Sequence, residues 1–229
     1  LWNQASCAAG SFLRAAIFEE GLAVIRQLWT EGRVSFHGEH FDYDDVAFYS
    51  GTELGPLMPV QSPPPIWVVS NPRLVGAASA ATIERRIVAA CRRIVRYGDG
   101  WMSCCRAEHP EELTEQLDWI RRVADDEGAD FDRLVVSYQV TMNVGDSEEK
   151  ARAAFGDYIG KYYPELSQAM DLGNWGPVGT PDQIAEWLTT FADAGVDHFI
   201  CRFGAIDQFG QVERFAKDVL PEFSAERVR

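Results

Sequence analysis

A chain of 229 residues with 46% apolar and 24% charged side chains has the make-up of a globular protein with a sizeable core. Its formal charge of −14 argues against nucleic acid as a partner, because phosphate binding needs clustered Lys and Arg, and it equally disfavours an anionic membrane surface. No apolar run approaches the ~20 residues of a membrane span and no signal peptide is visible, so the expected location is the cytoplasm, where five Cys, odd in number and without CxxC spacing, read as reduced, inert thiols.

In chain order, Leu1-Trp2-Asn3-Gln4 reads as the interior of a longer protein. The periodicity predicts a first helix over 11–31 with Phe18, Leu22, Ile25 and Trp29 on one buried face. Residues 33–48 alternate and carry aromatics around His37-Gly38-Glu39, which predicts a hairpin. The Gly- and Pro-bearing stretch 49–64 is expected to be a loop.

A strand is predicted at Ile66–Ser70, stopped by Ser70-Asn71-Pro72. The helix after it covers 82–97 and should bury Ile83, Ile87, Cys91 and Ile94. A second strand is expected at Gly100–Cys104, with a helix from about Pro110 presenting Leu113, Leu117, Ile120 and Ala124. The third strand, Leu134–Val144, is long; Asp146-Ser147-Glu148-Glu149 then reads as an acidic N-cap, and Tyr162-Tyr163-Pro164 ends that helix. A long connection over 164–180 holds Trp175. Thr180-Pro181-Asp182-Gln183 is a capped helix start, and the helix runs to Ala194-Gly195. His198–Phe203 is the fourth strand and 208–220 the last helix. No repeat or linker argues for a second domain.

Four β-then-α units in a row predict a parallel sheet with right-handed crossovers. A doubly wound nucleotide-binding sheet would show a Gly-rich turn after its first strand. Ser70-Asn71-Pro72 stands there instead, with no GxGxxG and no Walker pattern, which favours a β/α barrel.

Several segments, in order, resemble the bacterial-luciferase-like monooxygenases, the family of flavin- and deazaflavin-dependent (β/α)8 TIM-barrel oxidoreductases. Ile25-Arg26-Gln27-Leu28-Trp29 followed by Val34 to Phe41 is similar to the family's fourth helix and the hairpin after it. Pro64 to Asn71 is similar to its fifth strand, and Tyr97-Gly98-Asp99-Gly100-Trp101-Met102 to its sixth. Gly179 to Ile184 and Ala194 to Phe199 resemble the approach to its eighth. The resemblance implies an α/β chain that covers about the second half of such a barrel, helix 4 through helix 8. Residues 1–229 are then a single barrel domain whose N-terminal part, roughly 100 residues or more, is missing. This chain alone is expected to be inactive and to associate through two unpaired strand edges.

In a barrel the site lies at the C-terminal ends of the strands: Ser70-Asn71, Ser103 to Arg106, Asn143-Val144 and Arg202 to Gly204. The resemblance implicates the loop after the fifth strand, hence Val69, Ser70 and Asn71, in cofactor contact, and Arg106 is a candidate for its anionic tail. Trp101 and Arg202 are candidates for the substrate pocket. Each has a plainer reading: a turn for Ser70-Asn71-Pro72, a solvated or paired Arg106, a core Trp101, a buried Arg202 with structural partners. The His residues lack metal-ligand spacing, so no metal is expected, and no catalytic residue is named.

The implied cofactor is FMN, with deazaflavin F420 as the alternative. The implied chemistry is O2-dependent monooxygenation of a small organic substrate by reduced FMN, or hydride exchange with F420. A flavin reductase is a possible partner, and the full-length protein is expected to be a homo-oligomer. Two other readings remain: a non-catalytic flavin-binding homologue or inactive fragment, and an unrelated β/α-barrel lyase or isomerase. Against the last, none of the four strands carries a Lys for a Schiff base.

Overall fold

In the computed structural model of the chain, residues 4–47, 58–70, 79–103, 109–164 and 175–227 are described. They fall into two compact units, Leu1–Ile66 with Arg96–Gly98, and Trp67–Val95 with Asp99–Arg229.

The first unit is a helix and a hairpin. Helix α1 (Gln4–Glu31) starts earlier than its periodicity suggests and stops at Gly32, whose positive φ of 72° suits a residue without a Cβ. Strands β1 (Arg33–His37) and β2 (Asp42–Ala47) pair antiparallel, with Val34 opposite Val46 and His37 opposite Asp42, as the alternation predicts. The expected apolar stripe of α1 is only partly buried. Leu22 and Val24 are covered, whereas Phe18 and Ile25 are each 38% exposed. Periodicity says which residues share a face, but burial needs an element to cover that face. Within this unit the hairpin meets α1 beside Gly21, where a Cβ would lie 3.6 Å from the Phe41 ring.

Glu20 ties the hairpin turn to α1. Its carboxylate accepts backbone N–H bonds from Glu39, His40 and Phe41 at 3.0, 2.9 and 3.1 Å. Desolvation raises its pKa, but the three backbone donors outweigh it and hold the group below its usual value. A lowered folded-state pKa means that the tether is complete at neutral pH and fades as pH falls through that value. Glu20→Ala should therefore speed amide exchange at residues 39–41 at pH 7, with little difference from wild type once the carboxylate is protonated. Equal exchange at pH 7 would refute the tether.

The second unit is α/β. Strands β3 (Trp67–Val68), β4 (Gly100–Ser103) and β5 (Val135–Val144) pair parallel in sequence order. Strand β7 (His198–Phe203) pairs parallel with β5 over Ser137 to Met142. A two-residue strand β6 (Val178–Gly179) adds to the end of β5 at Asn143 and Val144. The helices between are α2 (Ala80–Tyr97), α3 (Pro110–Glu127), α4 (Glu148–Tyr162) and α5 (Pro181–Asp193). The chain ends in α6 (Gln208–Arg214), a π turn at Phe215–Val219 and α7 (Leu220–Arg227).

Several expectations are corrected. The first parallel strand is two residues, not Ile66–Ser70, because β4 pairs it only at Trp67 and Val68. The following strand ends at Ser103, and Cys104 lies outside the described residues. Ile83 is only half-buried, while Ile87, Cys91 and Ile94 are in the core. Helix α4 is capped by the Ser147 hydroxyl on the Lys150 N–H, not by Asp146, whose carboxylate instead meets Lys150 and Arg214 side chains. The connection over 164–180 contains β6, and the last helix runs past 220 through the π turn. The Thr180–Gln183 capping box forms as read, and Leu113, Leu117, Ile120 and Ala124 are buried.

Candidate functional site

Paired residues on parallel strands share a face, so the register sorts the side chains of this sheet. One face carries Val68, Trp101, Val136, Tyr138, Val140 and Met142, all buried. Helices cover it: Tyr138 lies against Trp187 and Phe191 of α5, and Phe199 against Trp187 and Phe223. The opposite face carries Trp67, Met102, Ile200 and Arg202, and four successive polar positions of β5: Ser137, Gln139, Thr141 and Asn143.

That second face is concave. Trp67 on β3 and His198 on β7 meet edge to face with ring centroids 4.9 Å apart, although β4 and β5 lie between them. Adjacent strands are about 4.8 Å apart, so a flat sheet would separate these two strands by about 14 Å. Gly100 makes the contact possible, since a Cβ there would sit 2.7 Å from the Trp67 ring. The pair closes the N-terminal end of the hollow. Ser137 lies level with His198 at that closed end, and Gln139, Thr141 and Asn143 follow toward the C-terminal end, with Arg202 beside Thr141 on β7.

A parallel strand buried on both faces is usually a continuous apolar run. Strand β5 alternates instead, and its polar side chains are buried: Ser137, Thr141 and Asn143 are at most 6% exposed. Asn143 Nδ2 donates to the Gly204 carbonyl at 2.9 Å, but Ser137 Oγ is buried with no partner among the described residues. A buried hydroxyl without a partner costs about 1–3 kcal/mol and calls for an explanation. The stripe is legible in the sequence as every second residue from Ser137 to Asn143.

The candidates drawn from the sequence are placed as follows. Val69 stands one residue beyond the β3 ladder and is 54% exposed. Ser70 is buried, and its carbonyl accepts from Trp101 Nε1 at 2.9 Å. Trp101 itself is fully enclosed on the helix-covered face and pins the strand end. Asn71 and Arg106 lie outside the described residues. Trp101→Phe removes one buried bond and leaves part of the indole's volume empty, so it should cost about 2–4 kcal/mol in urea unfolding. A loss below about 0.5 kcal/mol would show that Ser70 finds another donor.

Arg202 is half-buried near the end of β7. Its Nη2 donates to Tyr163 Oη at 3.3 Å, just past α4, and the Tyr158 phenol also faces it. The Tyr163 hydrogen bond, against the opposing effect of desolvation, holds its pKa above the usual value, so it stays cationic. Tyr163 packs on Trp175 with ring centroids 4.9 Å apart, and Trp175 Nε1 is buried without a partner among the described residues. None of these contacts is legible from sequence, because Tyr163 and Arg202 are 39 residues apart.

Other features lie elsewhere or are inert. Burial pushes the Cys91 thiol up to about 12 and Cys201 to about 11, so neither is a thiolate near neutral pH. A groove of about 400 Å³ lined by Asp182, Glu186, Asp193 and Glu222 runs along α5 and α7, on the helix side of the sheet. Among the described residues no group of three His, Cys, Asp or Glu could hold a metal ion.

The sequence model of the luciferase-like monooxygenases matches residues 13–198. The chain is 21% identical over 215 residues to an F420-dependent glucose-6-phosphate dehydrogenase of Amycolatopsis mediterranei, covering 93% of this chain and 62% of that protein. It is 25% identical over 233 residues to an FMNH2-dependent dimethylsulfone monooxygenase of Pseudomonas putida, covering 89% of this chain and 56% of that protein. Its fold matches an F420-dependent secondary alcohol dehydrogenase, solved with an F420–acetone adduct, at a TM-score of 0.68 and 18% identity, covering 92% of this chain and 62% of the other. The chain thus spans about 60% of the length of such relatives.

Proposed function

We propose, on the ground that the chain belongs to the luciferase-like monooxygenase family, that it is part of an oxidoreductase that acts on a small organic substrate with reduced FMN or F420. In this reading its β/α units are the later half of an eight-unit barrel, helix 4 through helix 8, and residues 1–229 lie in one barrel domain. A flavin reductase would supply reduced FMN, the working protein would be a homo-oligomer, and it would act in the cytoplasm.

The observation that carries the reading is the concave face with its alternating polar strand. A flavin-type ring has apolar faces and polar edges, and it needs both kinds of surface. Val69 and Met102 offer apolar contact, while Gln139 offers hydrogen bonds, so the residues present fit such a group. Bound there, reduced FMN would supply activation of O2, and F420 would supply hydride exchange. The work of this chain is to orient and to exclude water. Trp101 fixes the Ser70 carbonyl at the end of this strand segment. Ser70 and Asn71 would donate to the cofactor phosphate, with Arg106 adding charge, and Trp67 with His198 seals the far end against water.

Titration with FMN and with F420, read by fluorescence, tests this. Saturable binding of one of them is expected. Replacing Ser70 and Asn71 together by Ala should weaken that binding tenfold or more, since hydrogen bonds to a charged group are worth about 1.5–3 kcal/mol each. No binding of either cofactor by the protein would overturn the reading. Unchanged affinity with a lowered melting temperature would return these two residues to a plain turn.

A further inference from the structure

The geometry points to a subsite for an oxyanion of the substrate, a carboxylate or phosphate, held by Arg202, Tyr163 and Trp175 at the C-terminal end of the concave face. This rests on the oxidoreductase reading for the identity of the ligand as substrate, but not for the binding chemistry.

Three observations converge. First, Arg202 is a half-buried cation whose neighbours are phenols. It donates to Tyr163 Oη at 3.3 Å and lies near Tyr158, and among the described residues no carboxylate pairs with it. A guanidinium has five N–H donors in a planar fork, and two neutral hydroxyls leave most of them to be satisfied. Taking such a charge partly out of water without a counter-charge is costly, and a bidentate oxyanion is the ligand that matches the fork. Second, Trp175 Nε1 is a buried donor with no acceptor among the described residues, and its ring lies 4.9 Å from that of Tyr163. An indole N–H only donates, so its missing partner is an acceptor. Third, the site is built from a rigid wall. Phe155, Tyr158 and Ile159 form a buried cluster with Tyr163, Trp175 and Val178 packed against it. Gly204, just past β7, leaves the space that the Phe155 ring occupies, and its carbonyl is tied to Asn143. A guanidinium, a phenol and an orphan indole N–H supply donors together, which suits an anion and not a cation or an apolar group.

The chain as it stands is titrated with acetate, with inorganic phosphate and with neutral acetamide, following the indole N–H resonance assigned by Trp175→Phe. Acetate or phosphate should bind saturably and shift that resonance, and acetamide should not. Arg202→Met should weaken anion binding at least tenfold. Arg202→Lys should retain part of it, and Tyr163→Phe should lose several-fold while leaving the fold intact by circular dichroism. No saturable anion binding, or equal binding by Arg202→Met, overturns the subsite. The same variants are titrated with FMN and with riboflavin. Unchanged affinity for both supports a substrate oxyanion. A loss confined to FMN assigns the subsite to the cofactor phosphate and overturns the substrate assignment. If acetate binds and neither cofactor does, the oxidoreductase reading fails while the anion chemistry stands; if a cofactor binds and no anion does, the subsite alone fails.

Discussion

Gly176→Ala is expected to destabilise the protein by at least about 3 kcal/mol, because the new methyl has nowhere to go. A Cβ on Gly176 would fall on the Thr141 carbonyl oxygen and also meet Val140 Cγ2 at 3.0 Å. The obstacle is the backbone of β5, the strand to which both β4 and β7 are paired, and it cannot rotate aside as a side-chain tip would. The chain around Gly176 would have to lift away, breaking the Asn143 N–H bond to the Pro177 carbonyl and the Gly145 N–H bond to the Gly179 carbonyl. Urea unfolding gives the stability, and amide exchange at Asn143 and Gly145 shows where the damage falls. A cost below about 1 kcal/mol, with both amides still protected, would mean that this segment adapts and that β6 does not fix the end of β5.

Phe155→Ala should cost about 3–5 kcal/mol, the range for a fully buried aromatic ring replaced by a methyl group. Its ring fills the space that Gly204 leaves open, and a Cβ on Gly204 would strike that ring and approach Thr141 Cγ2 at 3.3 Å. Gly204→Ala alone should therefore cost about 1–3 kcal/mol by overpacking. Made together, the two changes relieve one another: the methyl at 204 moves into the cavity left at 155. The double variant should be more stable than the sum of the single costs by roughly 1 kcal/mol or more, within the usual range for residues in contact. Strict additivity in urea unfolding would show that the ring and the glycine do not meet. The cycle also probes the candidate site, since Phe155 lies in the cluster that supports Tyr163 and Trp175.

Local signals in the sequence are reliable where the physics is local. The Thr180 cap, with Pro181 and Gln183 in their expected places, needs only four consecutive residues. His198–Phe203 formed as the strand that its composition predicts, and the hairpin over β1 and β2 followed from alternation. The misreadings lie where a partner decides. Ile66–Ser70 looks like a five-residue strand, but a strand extends only as far as its neighbour pairs with it, and β4 pairs with two residues. Phe18 and Ile25 look like core, but a helical face is buried only when something covers it. Asp146 looks like a cap, yet the Ser147 hydroxyl is the group that reaches the Lys150 N–H.

The sequence by itself determined the order of helices and strands apart from the short β6, the parallel α/β class and, through ordered motifs, the family. Those properties are written in periods of two and 3.6 residues and in short caps, which neighbours along the chain enforce. Only the tertiary structure decided which face of the sheet is concave, that Trp101 holds Ser70, and that Arg202 stands among phenols. Those contacts join residues 31, 39 and 61 positions apart, at Trp101 to Ser70, Arg202 to Tyr163 and Asn143 to Gly204. Such distances are closed by the curl of the sheet and the packing of α4. A charge's need for a counter-ion is set by what surrounds it in space, and no spacing along the chain encodes that.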